Sequence, residues 1–450
     1  MNNQKTKYRT EPMKMWGEVK EFKQKFFEDY LDIRKRGGFR ILSGTAITLT
    51  IHAGFKDAAI MGAEPFSANI AFHRDFCIKC LEECERHGLG REICGYSKCV
   101  WGAMFLDQNV MPDGTLVDEW MKPDLATQFS IGPCHDKWFQ YLSENSDTSY
   151  YLFDLPKAYP YNSENVINYI TGQVLDYIEW AEKITGMTFD DEAFIEGVIN
   201  ETRSFKLWTE IMLLNQNIPA PLDEKTLFSF ITPNMSRPYK KETGEFYERL
   251  LDETRDRVER KIAAVGNEQF RVITDAVPPW PNLQLYRYME REYGVVVLGS
   301  PYVICLAGSW KFDDEGRIVP TPTPEEAGMK LDTREEAVRA LVWYKTHFAT
   351  ETLYNIACGE VLHEVTFTIA KQWRADGGIL HQNRGCTMQA LGSIESRNAM
   401  AEAGIPCINY EESAADPRDL DMTNLKRKLD IFFEANKVKR LKSADSNSKV

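Results

Sequence analysis

Residues 270–298 read FRVITDAVPPWPNLQLYRYMEREYGVVVL. Phe270–Arg271–Val272–Ile273–Thr274 is a short apolar run that predicts a strand. Pro278–Pro279–Trp280–Pro281 then forces a turn, because proline fixes φ and cannot donate to a ladder. Leu283 to Tyr293 has helical spacing, and Val295–Val296–Val297–Leu298 reads as a buried strand. Strand, helix and strand in succession form a βαβ unit, the building block of a parallel sheet.

The same alternation recurs on both sides. Upstream, strands are expected at Phe39–Ser43, at Ala58–Gly62, from Leu125 towards Gly132, and at Tyr150–Asp154, where Leu155–Pro156 stops the run. Helices are expected over His73–His87, closed by Gly88, and from about Gly95 to Phe105. Downstream, Glu335–Val361 reads as helix. Gly378–His381 reads as a short strand opening onto Asn383–Arg384–Gly385–Cys386. A helix at Ser393–Ala403, a strand at Pro406–Tyr410 and a helix at Leu425–Asn436 follow. Ser163 to Gln216 differs: Val166, Ile170, Val174 and Ile178 recur at helical spacing, which predicts an αα-hairpin or small bundle. Trp16 to Lys35 carries Val19, Phe22, Phe26 and Tyr30 on one helical face.

The expected architecture is therefore α/β, with two Rossmann- or flavodoxin-like parallel-sheet domains, a helical insertion and a helical N-terminal extension. The boundaries drawn are 1–37 for the extension, 38–162 for the first α/β domain, 163–265 for the helical segment and 266–436 for the second α/β domain. Residues 437–450 form a basic tail expected to be disordered.

Composition narrows the function. The chain has 450 residues, and its 67 acids against 54 bases argue against a nucleic-acid-binding surface. Aromatic residues make up 12% of the chain, which suits large apolar pockets or interfaces. The longest uncharged run, Tyr293–Trp310, is broken by glycines and Pro301, so no membrane span is expected. Within it Tyr302–Leu306 reads as a further apolar segment. Met1 to Glu21 is charged and has no hydrophobic signal core, which points to the cytoplasm, where thiols stay reduced. No GxxxxGK[ST], strand-linked GxGxxG, HExxH or GxSxG motif is present, so any nucleotide chemistry is left to a partner.

Ten cysteines remain to be sorted. Cys77, Cys80 and Cys84 lie on one face of a helix, which wraps an iron–sulfur cube poorly, so they read as a core stripe. Cys99 falls inside the next helix, and Cys305, Cys358 and Cys407 lie in apolar surroundings. All four are expected in the core. Cys94, Cys134 and Cys386 share another context, at a strand end or helix start beside glycine or proline. A thiolate at a helix start is stabilised by unpaired N–H groups. Ligands in open α/β sheets collect at such strand ends.

At these residues the chain resembles the 2-hydroxyacyl-CoA dehydratase and benzoyl-CoA reductase cluster-subunit family. The resemblance is carried by Asp57–Pro65, Cys94–Gly95–Tyr96–Ser97, and Cys134–His135–Asp136–Lys137 with Tyr151–Pro156. Arg384–Gly385–Cys386, with Gly404–Ile405–Pro406 and Tyr410–Glu411–Glu412, completes it over about residues 38 to 436. It implies that Cys94, Cys134 and Cys386 hold one 4Fe–4S cluster, with His135 and Tyr96 as candidate proton donors. It further implies a second cluster-bearing subunit and ATPase activator subunits with their own 4Fe–4S cluster. Those subunits hydrolyse the ATP, and reduced ferredoxin is the electron donor. The Cys94–Gly95–Tyr96 form and the length most resemble the longer cluster-bearing subunit of an ATP-dependent benzoyl-CoA reductase. Such an oxidoreductase turns benzoyl-CoA into a cyclohexadiene-carbonyl-CoA. A 2-hydroxyacyl-CoA dehydratase subunit, which is a lyase, and a non-catalytic electron-transfer subunit remain open.

Overall fold

The computed structural model describes residues 6–44, 46–156, 162–275, 277–349, 362–386 and 392–441. Cys358, the far end of the helix expected over 335–361 and the tail from 442 lie outside them.

Two four-stranded parallel sheets organise the described residues. The first contains β1 (Phe39–Ser43), β2 (Ala58–Gly62), β3 (Leu125–Phe129) and β4 (Ser149–Phe153), in the order β2–β1–β3–β4. The second contains β5 (Phe270–Ile273), β6 (Val295–Val297), β7 (Gly377–Asn383) and β8 (Cys407–Glu412), in the order β8–β7–β5–β6. Read from the other edge, this is the same order. It is the flavodoxin-like arrangement, with a switch point between the first and third strands. The central strands are buried along most of their length, as parallel strands covered on both faces must be. β4 is an edge strand and leaves Leu152 exposed.

Helices Glu164–Thr185 and Asp191–Leu213 form the expected pair. Ser163 and Asp190 cap them by accepting from the N–H groups of Val166 and Ala193. Lys241–Glu259 packs on the second helix, and Arg334–Tyr344, from the far half of the chain, packs on both. The buried Lys345 Nζ, just past that last helix, reaches Glu201 Oε1 at 2.6 Å.

The N-terminal helix, Trp16–Asp32, docks on the body. It buries Val19, Phe26, Phe27 and Tyr30 and pairs Asp29 with Arg237 at 2.8 Å. One continuous apolar core runs from this helix through both sheets. The apolar segment Tyr302–Leu306 is helical over most of its length: Ser300–Pro301 starts a short helix over Pro301–Cys305, since proline is tolerated in a first turn. Two small antiparallel ribbons, Asn109–Val110 with Leu116–Val117 and Trp310–Phe312 with Ile318–Pro320, flank the sheets. Cys407, expected in the core, instead opens β8 at the sheet edge and is only half-buried, which corrects that expectation.

Candidate functional site

Three chain segments meet between the carboxyl ends of the two sheets. Cys94 is the N-cap of helix Gly95–Leu106, and its sulfur is approached by the N–H groups of Ser97 and Tyr96. Burial outweighs these donors and pushes the thiol up to about 11. Cys134 lies in the first turn of helix Pro133–Ser146, directly beyond β3. Its thiol donates to the Gly385 carbonyl at 3.3 Å. Cys386 is buried just past β7, and its N–H donates to the Asn383 carbonyl at 3.2 Å.

Two glycines make this meeting possible. Gly385 has φ +78, and a Cβ there would stand 2.9 Å from the Cys94 nitrogen. A Cβ on Gly95 would stand 2.6 Å from Ser413 Oγ and 2.9 Å from Ala415 Cβ. The loop of the second half thus lies directly on the helix start of the first. Arg384 fastens that loop, bonding Glu411 and Asp419 at 2.9 Å each, while Arg91 reaches Asp419 at 3.3 Å.

Both proton-donor candidates border the same place. His135 Nε2 is 3.6 Å from Glu64 Oε1, and both side chains are buried. The Tyr302 hydroxyl donates to Glu64 Oε2 at 3.5 Å and is hydrogen-bonded to the Tyr96 hydroxyl. Trp280 Nε1 donates to that same Tyr96 hydroxyl. Burial, with Tyr302 and Glu64 adding to it, holds the Tyr96 phenol well above its usual range, so it stays protonated. Glu64, Trp280 and Tyr302 were not singled out from sequence. Glu64 lies inside the Asp57–Pro65 segment, as the one charged side chain of helix Ala63–Phe72. Trp280 and Tyr302 also line an apolar cavity of about 560 Å³ between the N-terminal helix and the body.

The other cysteines are elsewhere. Cys77, Cys80, Cys84 and Cys99 are buried together, with Cys77 and Cys99 sulfurs 3.8 Å apart. Burial raises the Cys80 and Cys99 thiols well above their usual range and Cys84 to about 12, which makes them poor nucleophiles and poor ligands. Cys305 is buried, as expected for a core residue.

Among the described residues, no three His, Cys, Asp or Glu side chains close on a point as tightly as a single metal ion requires. A four-iron cube is larger and takes its thiolates from separate directions. Cys94, Cys134 and Cys386 stand at two helix starts and just past one strand end, on segments that touch one another, and thiols so placed could serve as its donors.

The family described as "2-hydroxyglutaryl-CoA dehydratase, D-component" matches residues 62–436, the span that holds all of these segments. The chain belongs to that family. Its members are enzyme subunits acting on CoA thioesters. The chain is 24% identical over 350 residues to the (R)-phenyllactyl-CoA dehydratase alpha subunit of Clostridium sporogenes, covering 75% of each chain. It is 23% identical over 398 residues to the (R)-2-hydroxyisocaproyl-CoA dehydratase alpha subunit of Clostridioides difficile, covering 85% of this chain and 88% of that one. It is 19% identical over 373 residues to a benzoyl-CoA reductase subunit of Thauera aromatica, covering 80% of each. Among the described residues, no helix is long and apolar enough to cross a membrane.

Proposed function

We propose that this chain is a cluster-bearing subunit of an ATP-dependent benzoyl-CoA reductase. In this reading Cys94, Cys134 and Cys386 hold a 4Fe–4S cluster. The carrying observation is their convergence beside Tyr96, His135 and Glu64, next to an apolar cavity walled partly by aromatic rings. A cluster held there supplies single electrons of very low potential. The chain's own residues handle the rest. Reducing an aryl ring by two electrons takes up two protons. His135 Nε2 and Glu64 Oε1, 3.6 Å apart, form a buried pair able to pass one. The Tyr96 hydroxyl, kept protonated by burial, holds another beside Cys94. Tyr302 and Trp280 fix the Glu64 carboxylate and the Tyr96 hydroxyl in place by hydrogen bonds. The chain has no phosphate-binding loop of its own, so ATP hydrolysis falls to activator subunits, which pass on electrons from reduced ferredoxin.

A second reading, a 2-hydroxyacyl-CoA dehydratase subunit, is favoured by the description of the matching family and by the names of four dehydratase relatives. Anaerobic co-production with the partner and activator subunits separates the two. Consumption of benzoyl-CoA with ATP and reductant, and no dehydration of (R)-phenyllactyl-CoA, is the expected result. The reverse pattern establishes the dehydratase, and a complex without iron on this subunit removes both readings.

A further inference from the structure

We infer that the 560 Å³ cavity beneath the N-terminal helix is the chamber for the acyl group of the CoA thioester, that it selects an apolar, ring-sized acyl group, and that Lys23 at its wall meets an anionic group of the CoA moiety. This rests on the reading that the chain handles a CoA thioester.

Position comes first. Pro65, Trp280 and Tyr302 line the cavity. Pro65 follows Glu64, Trp280 bonds the Tyr96 hydroxyl, and Tyr302 bonds both Glu64 and Tyr96. The same side chains therefore face the cavity and the proton-bearing groups. Size and lining agree. About 560 Å³ falls within the roughly 300–1,000 Å³ of small-molecule sites. Trp16, Phe27, Phe72 and Phe228 contribute rings to its walls, and Phe72 is 60% exposed in this otherwise well-packed region.

Charge supplies an independent pointer. Two of the lysines at the wall differ in their surroundings. Lys225 is neutralised by Asp223 at 3.0 Å and Glu290 at 2.5 Å. Lys23 has no ion-pair partner among the described residues, and burial lowers its ammonium to about 8. An ammonium desolvated without a counter-ion costs free energy that an anionic ligand returns. Its neighbours on the same helical face, Val19 and Phe27, are apolar.

Ala68 and Ser229 line the cavity and are only partly buried, so a tryptophan at either position fills the chamber without entering the core. The test measures binding of benzoyl-CoA, acetyl-CoA and free CoA to the assembled complex by calorimetry. The unaltered complex is expected to bind benzoyl-CoA about tenfold or more tighter than acetyl-CoA, the effect of burying one ring. Ala68→Trp and Ser229→Trp are each expected to bring that ratio close to one. Lys23→Met is expected to weaken both thioesters by a similar factor, about threefold to tenfold, and Lys23→Arg to restore them. Equal binding of the two thioesters by the unaltered complex, or a ratio unmoved by both tryptophan variants, overturns the chamber and leaves the proposed function standing. An unaffected Lys23→Met complex overturns the anion contact. Failure of the unaltered complex to bind any thioester overturns the proposed function itself.

Discussion

Arg40 and Arg271 occupy the same place in two sheets. Each follows a phenylalanine at the start of the first strand and is almost fully buried. Each backbone N–H donates to an aspartate just before the third strand, Asp124 or Asp376, at 2.9 Å. Each arginine carbonyl accepts in return from that aspartate's N–H, at 2.8 Å and 2.7 Å. Cys134 follows Asp124, and Cys386 follows Asp376, by the same ten residues. Two of the three proposed ligands thus stand at equivalent points of one plan used twice. Cys94 has no such counterpart and comes from a helix of the first half alone. The sheets part company at their carboxyl ends. The first offers hydroxyls, an imidazole and a buried acid, Glu64: Ser43 with Thr48, His52 Nε2 3.4 Å from Thr127, and Glu64 just past β2. The second offers the buried acids Glu224, Asp275 and Glu412. A shared backbone plan fixes where a ligand emerges, while the side chains around it set what each half can tolerate.

The largest expected effect tests the equivalence directly. Cys134→Ser and Cys386→Ser should each strip iron from the anaerobically purified subunit and lower turnover by about a hundredfold or more, as loss of a ligand does. Cys99→Ser, in the buried stripe, should keep its iron. Iron analysis and the visible spectrum read both. Iron retained in only one of the first two variants would break the proposed pairing of positions.

The next effect separates the arginines. Arg271 is paired with Glu268 at 2.5 Å, with both side chains buried, and it bonds the carbonyls of Asn215, Asn217 and Trp373. Arg40 bonds the carbonyls of Tyr30 and Leu31, and its acidic partner Glu119 is half-exposed. Arg271→Met leaves a buried carboxylate uncompensated and should cost about 3–5 kcal/mol. Arg40→Met leaves a solvated carboxylate and orphaned carbonyls and should cost about 1–3 kcal/mol. Urea unfolding measures both, and equal losses would show that the two half-molecules are anchored alike despite their partners.

Local patterns were legible in the sequence. Strand and helix positions followed from periodicity, with ends shifted by a few residues, because a buried parallel strand is a continuous apolar run. The cysteine stripe at 77, 80 and 84 was legible as core because one helical face collected all three. Cys94, Cys134 and Cys386 stood out by local context, but their meeting depends on Gly385 crossing Cys94, a contact between residues almost 300 positions apart (roughly the whole chain between the two α/β halves). The same reason hid Glu64, whose partner Tyr302 is 238 positions away, and Trp280, which is 184 positions from Tyr96. Two similar parallel-sheet halves were legible, but the matching arginine–aspartate pairs were not, because so few side chains are shared between the halves and the segments between them differ in length. Tyr302–Leu306 was legible only as apolar, because a five-residue apolar run suits strand and helix equally.

The smallest effect is the pH response that distinguishes the two carboxyl ends. Burial raises Glu224 and Asp275 to about 7 and Glu412 to about 8. Glu224 still accepts from Thr274 at 2.8 Å, Asp275 from the His381 N–H at 2.7 Å, and Glu412 from Asn282 at 3.0 Å. In the unfolded chain these acids ionise near pH 4, so between about 4 and 8 the folded state holds more protons. Their contribution is complete below pH 4 and is lost as pH rises through 7 to 8. His52 runs the other way: burial lowers it to about 3, so its contribution is lost only as pH falls below about 6.5. His381, lowered to about 4, behaves likewise. Above pH 6.5 the imidazoles are neutral in both states, and up to about pH 8, where the buried Lys23 begins to act in the opposite sense, the acids of the second sheet set the slope. Unfolding free energy should therefore fall between pH 6.5 and about 8, by at most about 1.4 kcal/mol per pH unit for each acid. Glu412→Gln should flatten the upper part of that slope, because its carboxyl titrates last, and Asp275→Asn the lower part. A slope unchanged by both variants would mean that the acids are ionised in the fold and that the two carboxyl ends respond to pH alike.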